Sequence, residues 1–266
     1  MHNQLAKSAI IGLSAITLSA FVSSSAQATN LVTNGSFETT SNGLTGQLGT
    51  PYGTELPGWT YLPAPTSYDF IFGSGTADTT GSPSEYYGAP LTFWGSNNGG
   101  LDVWPASSPD GGNFLAVDPV YQNYAPISQL LNGLTVGQQY TVSFYNAAAQ
   151  QFGFSGSTYD QWKVVFGGET QYATAFNLPN HGFSGWVKES LTFTANSSSQ
   201  LLQFFATGGP VGLPPFVLLD GVSVEAVKGT SVPEPSSIFG LGAVIVLGLG
   251  IGFKSKLAKV TQAKRA

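Results

Sequence analysis

Apolar residues between positions 140 and 224 recur at every second position, in several separate runs. Side chains of a β-strand point alternately to opposite faces, so these runs predict strands with one buried face. Gly, Pro, Asn and Ser lie between the runs and predict turns. The pattern favours an all-β fold made of two packed sheets. The alternating residues are Tyr140, Val142 and Phe144; Trp162, Val164 and Phe166; Leu191, Phe193 and Ala195; Leu202, Phe204 and Ala206; Val217 and Leu219; and Val222 and Val224.

The last alternating pair follows an interruption. Asp220-Gly221 separates the two halves of the final run and predicts a bulge or kink there. Shorter strands are predicted in the first half of the chain. They are Leu31–Thr33, Trp59–Leu62, Asp69–Phe72, Phe114–Val117 and Ile127–Leu131.

Residues 1–28 have the three parts of a secretory signal peptide. Lys7 precedes an apolar stretch, and Ala26-Gln27-Ala28 forms a small-residue cleavage site. Signal peptidase is therefore expected to cut after Ala28 and to release an exported protein that begins at Thr29. An uncleaved membrane anchor is the alternative interpretation.

The C-terminal end has a short motif, an apolar span and a basic tail. An uncharged apolar run of this length predicts a membrane helix, and the Lys and Arg that follow favour the cytoplasmic side. A buried core helix is the alternative, but the clustered Lys and Arg at one end argue against it. The predicted segments are a linker 229–235 with the motif Pro233, Glu234 and Pro235, a transmembrane helix 236–253, and a basic cytoplasmic tail 254–266.

This order of segments resembles the PEP-CTERM sorting signal of Gram-negative bacteria. The resemblance implies export, transient anchoring in the inner membrane, and processing by an exosortase-type membrane protease near the Pro-Glu-Pro motif. It implies a final location at the cell surface or in the extracellular matrix.

The segment between the two ends, 29–228, is predicted to be one domain. Residues 29–231 contain three lysines, no arginine and thirteen carboxylates, which give a net charge of −10. Nucleic-acid surfaces need Lys or Arg to displace counterions from phosphates, so that role is excluded. The chain has no cysteine, which excludes disulfides, thiol catalysis and cysteine-based zinc sites.

Five motifs in this segment resemble, in the correct order, those of galactose-binding-like jelly rolls, which include several carbohydrate-binding modules. The motifs are Asn30–Glu38, Leu56–Trp59, Ile127–Phe144, Leu191–Ala195 and Leu218–Val224. The resemblance implies an antiparallel jelly-roll β-sandwich and a structural Ca²⁺ that joins the first strand to the last. Glu38 and Asp220 occupy the positions of its ligands, and backbone carbonyls around Asn34 and in the Asp110–Asn113 loop, which ends at Asn113, would contribute further oxygens. The alternative is that Glu38 caps a turn and Asp220 hydrogen-bonds to a bulge.

Aromatic and amide side chains are concentrated between residues 84 and 124. Carbohydrates are recognised by aromatic rings that stack on the sugar and by polar groups that bind its hydroxyls. A second aromatic cluster lies at 150–159. The alternative is that Trp94 and Trp104 pack beneath the long loop as a small core. The candidate carbohydrate-binding residues are Trp94, Asn97, Asp102, Trp104, Tyr121 and Tyr124.

Catalytic signatures are weak. His181 is the only histidine after the signal peptide, and neither a G-x-S-x-G nor an H-E-x-x-H motif is present. A glycosidase needs two opposed carboxylates, and no pattern selects a pair. We therefore expect a non-catalytic domain that binds extracellular polysaccharide. A purely structural matrix or biofilm protein is the first alternative, and a glycoside hydrolase is the second.

Overall fold

The computed structural model describes residues 29–49, 54–64, 66–82, 89–121 and 125–228. The regular elements of these residues are strands, and they form two antiparallel sheets. We find no membrane-spanning helix among them. The predicted signal peptide, the Pro-Glu-Pro motif, the C-terminal helix and the basic tail lie outside the described residues.

The strands follow one another with short turns in the second half of the chain and longer loops in the first half. They are β1 (Gly46–Gln47), β2 (Asp69–Phe72), β3 (Phe114–Val117), β4 (Ile127–Asn132), β5 (Gln139–Gln150), β6 (Thr158–Phe166), β7 (Glu169–Tyr172), β8 (Phe176–Leu178), β9 (Val187–Thr194), β10 (Ser199–Gly209) and β11 (Pro215–Ala226).

One sheet has six strands in the order β1-β2-β3-β11-β5-β9. The other has the order β4-β10-β6-β7, and its fifth strand, β8, also pairs with β6. All the pairs are antiparallel. This confirms the predicted all-β, antiparallel jelly-roll sandwich.

The main core lies between the two sheets, where the alternating residues of the sequence meet. Trp162 of β6 and Phe204 of β10 are fully buried there, with their ring centroids 5.8 Å apart. Phe144 of the opposite sheet lies 5.2 Å from Phe204. The Trp162 indole N–H donates a 2.9 Å hydrogen bond to the Leu218 carbonyl, so the largest core residue also links the sheets through a polar contact.

A second apolar cluster covers the outer face of the six-stranded sheet. Because this sheet is buried on both faces, β2 and β3 are buried at every position instead of alternating. The cover comes from the loops around Phe93, Trp104 and Phe183. The members are Tyr68, Phe70, Phe72, Ala77, Leu91, Phe93, Phe114, Ala116, Ala147, Ala149, Phe183, Phe216 and Leu218, with Trp104 and Trp186 packed against them.

The interruption in β11 is a β-bulge, as predicted. The register with β5 shifts between Asp220 and Ser223, and Gly221 has a φ of 57°. The extra residue changes which positions face the main core, from Val217 and Leu219 before the bulge to residues 222 and 224 after it.

Two predicted strands are wrong. At Leu31–Thr33 the Leu31 N–H donates one backbone bond to the Val224 carbonyl (3.0 Å), but the Asn30 side chain accepts the N–H groups of Val32 (3.0 Å) and Val224 (2.9 Å), and no continuous ladder forms. At Trp59–Leu62 only Thr60 pairs, with Ser128 of β4.

The sequence also gave no prediction of β7 or β8. Strand β7 is largely exposed and lacks an apolar alternation, and β8 has only three residues. Neither carries a pattern long enough to distinguish a strand from a turn.

Phe204 and Phe205 test the inward and outward faces of one strand. Phe204→Ala should lower the free energy of unfolding by about 3–5 kcal/mol, because it opens a cavity between the sheets. Phe205→Ala, on the outer face, should cost less than about 1.5 kcal/mol. Urea denaturation measures both. Equal losses would contradict the assignment of the faces.

Candidate functional site

Three carboxylates lie close together beside the β11 bulge. Asn113 donates its N–H to Glu38 Oε1 over 2.6 Å, and a Cβ on Gly112 would overlap the Glu38 carboxylate. A Cβ on Gly221 would lie 2.9 Å from the Asp110 carboxyl carbon. The two glycines therefore leave the space that Glu38 and Asp110 occupy next to Asp220.

Asp220 is fully buried at the centre of this group. The Ser108 hydroxyl donates to its Oδ2, and the Gly221 N–H donates to its Oδ1 over 2.7 Å. The pKa of Asp220 is raised to about 8, mainly by burial and to a smaller extent by the negative charges of Asp110 and Glu38, while these two hydrogen bonds oppose the rise. The site therefore favours whatever neutralises the buried charge, either a proton or a cation.

Of the two asparagines predicted at the metal site, one contacts Glu38 and the other does not. Asn113 contacts Glu38 directly and also donates from Nδ2 to the Phe37 carbonyl over 3.2 Å. The Asn34 amide bonds within its own loop, to both backbone groups of Thr39 (2.8 and 3.0 Å) and to the Pro57 carbonyl (3.1 Å). The structure therefore brings Glu38, Asn113 and Asp220 together but engages the Asn34 side chain elsewhere.

The sequence did not predict that the Asp110 carboxylate belongs to the group beside the bulge. The sequence indicated its loop only as a source of carbonyl oxygens, since an Asp-Gly-Gly turn does not show where its carboxylate points. Within the described part of the chain, no three or more His, Asp or Glu side chains are arranged to enclose a metal ion by themselves. A cation here would therefore also need backbone or water oxygens.

Trp104 belongs to the outer apolar cluster. Its ring stacks on Phe183 at 3.9 Å and on Phe93 at 5.6 Å, and its indole N–H donates to the Trp94 carbonyl over 2.9 Å. The Trp104 ring and its indole N–H are thus both engaged by the protein. This placement corresponds to the alternative in which Trp104 packs beneath the long loop.

Asn97 and Asp102 hold the same loop together. Asn97 donates to both carboxylate oxygens of Asp78, each over 3.1 Å. Asp102 Oδ2 accepts the Phe183 N–H over 2.8 Å. These three hydrogen bonds position the loop around Trp94 and Trp104.

Trp94 lies at the rim of the sandwich, in a group of aromatic residues that face solvent. Its ring stacks on His181 at 3.7 Å and tilts against Phe152 at 4.5 Å, and its indole N–H donates to the Phe154 carbonyl over 2.6 Å. Phe152 and Phe154 are 43% and 37% exposed.

Next to Phe154 is a shallow depression of about 190 Å³. Tyr121 lies at its edge, 42% exposed, with its ring 5.5 Å from that of Tyr68. The carboxylate of Asp118 and the amide of Gln151 also line it. Tyr124 falls outside the described residues. We use the name rim patch for Trp94, Phe152, Phe154, His181 and Tyr121 together with this depression.

A second aromatic surface lies on the outer face of the five-stranded sheet. Phe205, Lys163 and Tyr172 are adjacent across β10, β6 and β7. The Lys163 ammonium lies 4.0 Å from the centre of the Phe205 ring, so it covers the ring face that a sugar would need. Tyr172 itself is 57% exposed, whereas the rim patch brings several exposed rings together beside a depression.

His181 is part of the rim patch and also a candidate catalytic group. Its Nε2 lies 2.9 Å from the Ser155 hydroxyl, and its ring is stacked on Trp94. Among the hydrogen bonds of the described residues, none joins His181 to a carboxylate that would orient it as a general base. The pair therefore lacks the third member of a hydrolase triad.

Comparisons with known proteins give low similarity. No family model matches the chain, and no curated protein matches it significantly. Among solved structures, the sugar-binding C-terminal domain of EclA is 19% identical over 49% of this chain and 87% of its own, with a TM-score of 0.32. The CBM22-1 xylan-binding domain of Paenibacillus barcinonensis Xyn10C is 16% identical over 70% and 94%, with a TM-score of 0.33. TmCBM61 in complex with β-1,4-galactotriose is 13% identical over 75% and 99%, with a TM-score of 0.34.

Proposed function

We propose that this chain is a non-catalytic carbohydrate-binding protein that holds an extracellular polysaccharide on the rim patch. The observation that carries this proposal is the group of solvent-facing rings around Trp94, next to the polar side chains of Asp118 and Gln151. Contiguous exposed apolar groups mark interaction sites on soluble proteins. Rings and polar groups together match the apolar faces and the hydroxyls of a pyranose.

The charge of the domain indicates which class of polysaccharide it would bind. The described residues carry only Lys163, Lys188 and Lys228 as fully charged cations, and none of them belongs to the rim patch. An anionic polymer would meet a surface with an excess of carboxylates. A neutral polysaccharide meets no such repulsion, so we favour it over an anionic one.

The rim patch predicts where binding is lost. Phe152→Ala and Phe154→Ala each remove an exposed ring, so they should weaken binding at least about tenfold while the fold is retained. Affinity electrophoresis in xylan, β-1,4-galactan and a neutral bacterial exopolysaccharide identifies a ligand, and calorimetry with its oligosaccharides measures Kd.

Tyr172→Ala on the five-stranded sheet is the matched control and should leave Kd unchanged. A loss in Tyr172→Ala alone would move the site to that sheet. If no polysaccharide binds, the alternative of a purely structural matrix protein is favoured.

We propose that the carboxylates beside the bulge hold a structural Ca²⁺. Glu38 and Asp220 would supply ligands, as would Asp110 and oxygens of the Asp110–Asn113 loop. The residues fit such an ion, because they offer hard oxygen donors of the type that Ca²⁺ prefers and because a buried Asp220 needs a neutralising charge. The ion would tie the loop after residue 34 and the loop before β3 to the last strand.

Removal of calcium should therefore destabilise the protein. At a hundredfold excess over Kd, binding to the native state contributes about 2.7 kcal/mol, or a rise in Tm on the order of 5–10 °C for a domain of this size. Glu38→Gln should abolish this rise, since Gln can still accept the Asn113 N–H but has no charge. Glu225→Gln, an exposed carboxylate on β11, is the control. An unchanged Tm in EDTA would remove the calcium proposal.

We propose that the protein is exported and sorted by its two termini. The arguments are the signal-peptide pattern before Thr29 and the motif Pro233, Glu234 and Pro235 before an apolar span. Intact-mass measurement of the protein from its native host should give an N-terminus at Thr29 and loss of the residues beyond the motif. Glu234→Ala should retain the C-terminal segment. A full-length chain in the cytoplasm would contradict export.

A further inference from the structure

A second pair of carboxylates lies inside the sandwich, away from the β11 bulge. Asp160 is on the inward face of β6, two positions before Trp162, and is fully buried. Asp118 follows the end of β3 and is 5% exposed. Pro119, which follows Asp118, and Asp160 both lie against Gly208, and the negative charge of Asp118 acts on Asp160. Neither carboxylate was predicted as a ligand from the sequence.

Asp160 has no hydrogen-bond partner for either carboxylate oxygen. The hydroxyl of Thr158, on the same face of β6, is likewise buried without a partner. A buried carboxylate without hydrogen bonds is strongly destabilising unless its charge is removed or balanced. The unpartnered Asp160 carboxylate and Thr158 hydroxyl on one face of β6 therefore require an explanation beyond packing.

The fully charged cations of the described residues point elsewhere. Lys163 is on the outer face of β6, over the Phe205 ring, and Lys188 lies over the Tyr145 ring of the six-stranded sheet. Lys228 is exposed beyond the end of β11. His181 is stacked on Trp94 in the rim patch. Balance for Asp160 must therefore come from outside these side chains.

The surroundings of Asp160 provide oxygens and access. Gly208 of β10 is opposite Asp160, and its Cβ position would lie 2.9 Å from Asp160 Oδ1 and 2.7 Å from the Tyr159 carbonyl oxygen. Gly208 and Tyr159 also line a cavity of about 280 Å³, and Asp118 lines the depression of the rim patch. Residues next to Asp160, and Asp118 itself, thus line two depressions of the surface.

Backbone hydrogen bonds hold one carboxylate oxygen of Asp118 in place. Its Oδ1 accepts the N–H groups of Val120 (2.8 Å) and Tyr121 (3.3 Å), which fixes the carboxylate at the start of a turn. The same contact places Tyr121 at the edge of the depression.

We propose that Asp160 and Asp118 bind a second Ca²⁺, with the Tyr159 carbonyl and the Thr158 hydroxyl as neutral oxygen donors. Ca²⁺ accepts six to eight oxygens in irregular geometry, including carbonyls and water, whereas Mg²⁺ requires a near-ideal octahedron. Two carboxylates and neutral oxygens suit the former.

The direction of the pKa values agrees with an acidic pair that lacks a counter-charge. Burial raises the pKa of Asp160 well above its usual range, and the charge of Asp118 raises it further. Burial also raises the pKa of Asp118 to about 6 against its two backbone hydrogen bonds. A bound cation would reverse both shifts.

Calcium counting on the purified protein tests the proposal. Protein treated with EDTA and returned to metal-free buffer at pH 7 is titrated with CaCl₂ by calorimetry, and bound calcium is measured by atomic emission after gel filtration. Asp160→Asn should remove one bound ion, and Asp118→Asn should lower the affinity for that ion at least tenfold. Glu225→Gln, which removes one exposed carboxylate, should bind as the unmodified protein does.

Glu38→Gln separates this ion from the one proposed beside the bulge. If Glu38→Gln removes one ion and Asp160→Asn removes a different one, both sites stand. If Asp160→Asn retains every ion of the unmodified protein, the second site is overturned whether or not Glu38→Gln has an effect. An ion that is lost only in Asp160→Asn supports the second site and overturns the first.

The competing explanation is a proton on Asp160. In that case Asp160→Asn should melt at or above the temperature of the unmodified protein in EDTA, and calcium should bind equally to both. That result would overturn the proposal. With a cation site, Asp160→Asn should instead lose the part of the calcium-induced rise in Tm that Glu38→Gln retains.

Discussion

Burial of the six-stranded sheet on both faces is the constraint on which the rest of the structure depends. Its inner face forms the main core with Trp162 and Phe204, and its outer face is covered by loop residues such as Phe93. In a chain without cysteine, this apolar burial must hold the loops in place. Phe72 stacks on Phe93 at 4.7 Å, which anchors the loop residue that precedes Trp94. The geometry of the rim patch therefore follows from the packing beneath it.

The domain also buries more carboxylates than its lysines can balance. Asp118, Asp160 and Asp220 are each buried, and in each case desolvation is the main cause of a raised pKa. A domain with thirteen carboxylates and three lysines cannot pair them all internally. Exposure to a medium that contains divalent cations would solve this problem, and it fits an exported protein better than one confined to a low-calcium compartment.

The sequence predicted the sandwich and the bulge because both depend on local patterns. Alternation at Trp162–Phe166 survives in the structure as alternating burial, and Asp220-Gly221 does shift the register. The strand prediction was wrong at Leu31–Thr33, where the Asn30 side chain accepts the Val224 N–H beside a single backbone bond from Leu31 to Val224. That side-chain contact joins residues far apart in the chain. A long-range side-chain hydrogen bond of this kind leaves no pattern in the local sequence.

The site residues were harder to predict for the same reason. The sequence could list Trp94 and Trp104 together, but only the fold shows that Trp104 stacks on Phe183 in the outer apolar cluster while Trp94 stacks on His181 in the rim patch. Asp160 occupies an inward position of β6 where the pattern predicts an apolar residue. A polar residue that breaks the inward pattern was the available signal for the buried pair, and it could be read only once the register of β6 was known.

Asp118 belongs both to the rim patch and to the buried pair of carboxylates. Its carboxylate lines the depression of the rim patch and acts on Asp160 inside the sandwich, and its Oδ1 accepts the Tyr121 N–H. A cation bound to this carboxylate would fix the turn that carries Tyr121 and would change the charge next to a bound sugar. Because coupling between two binding equilibria is reciprocal, any effect of calcium on sugar affinity must appear as an equal effect of sugar on calcium affinity. The strength of that coupling depends on whether Asp118 contacts both ligands or only positions Tyr121.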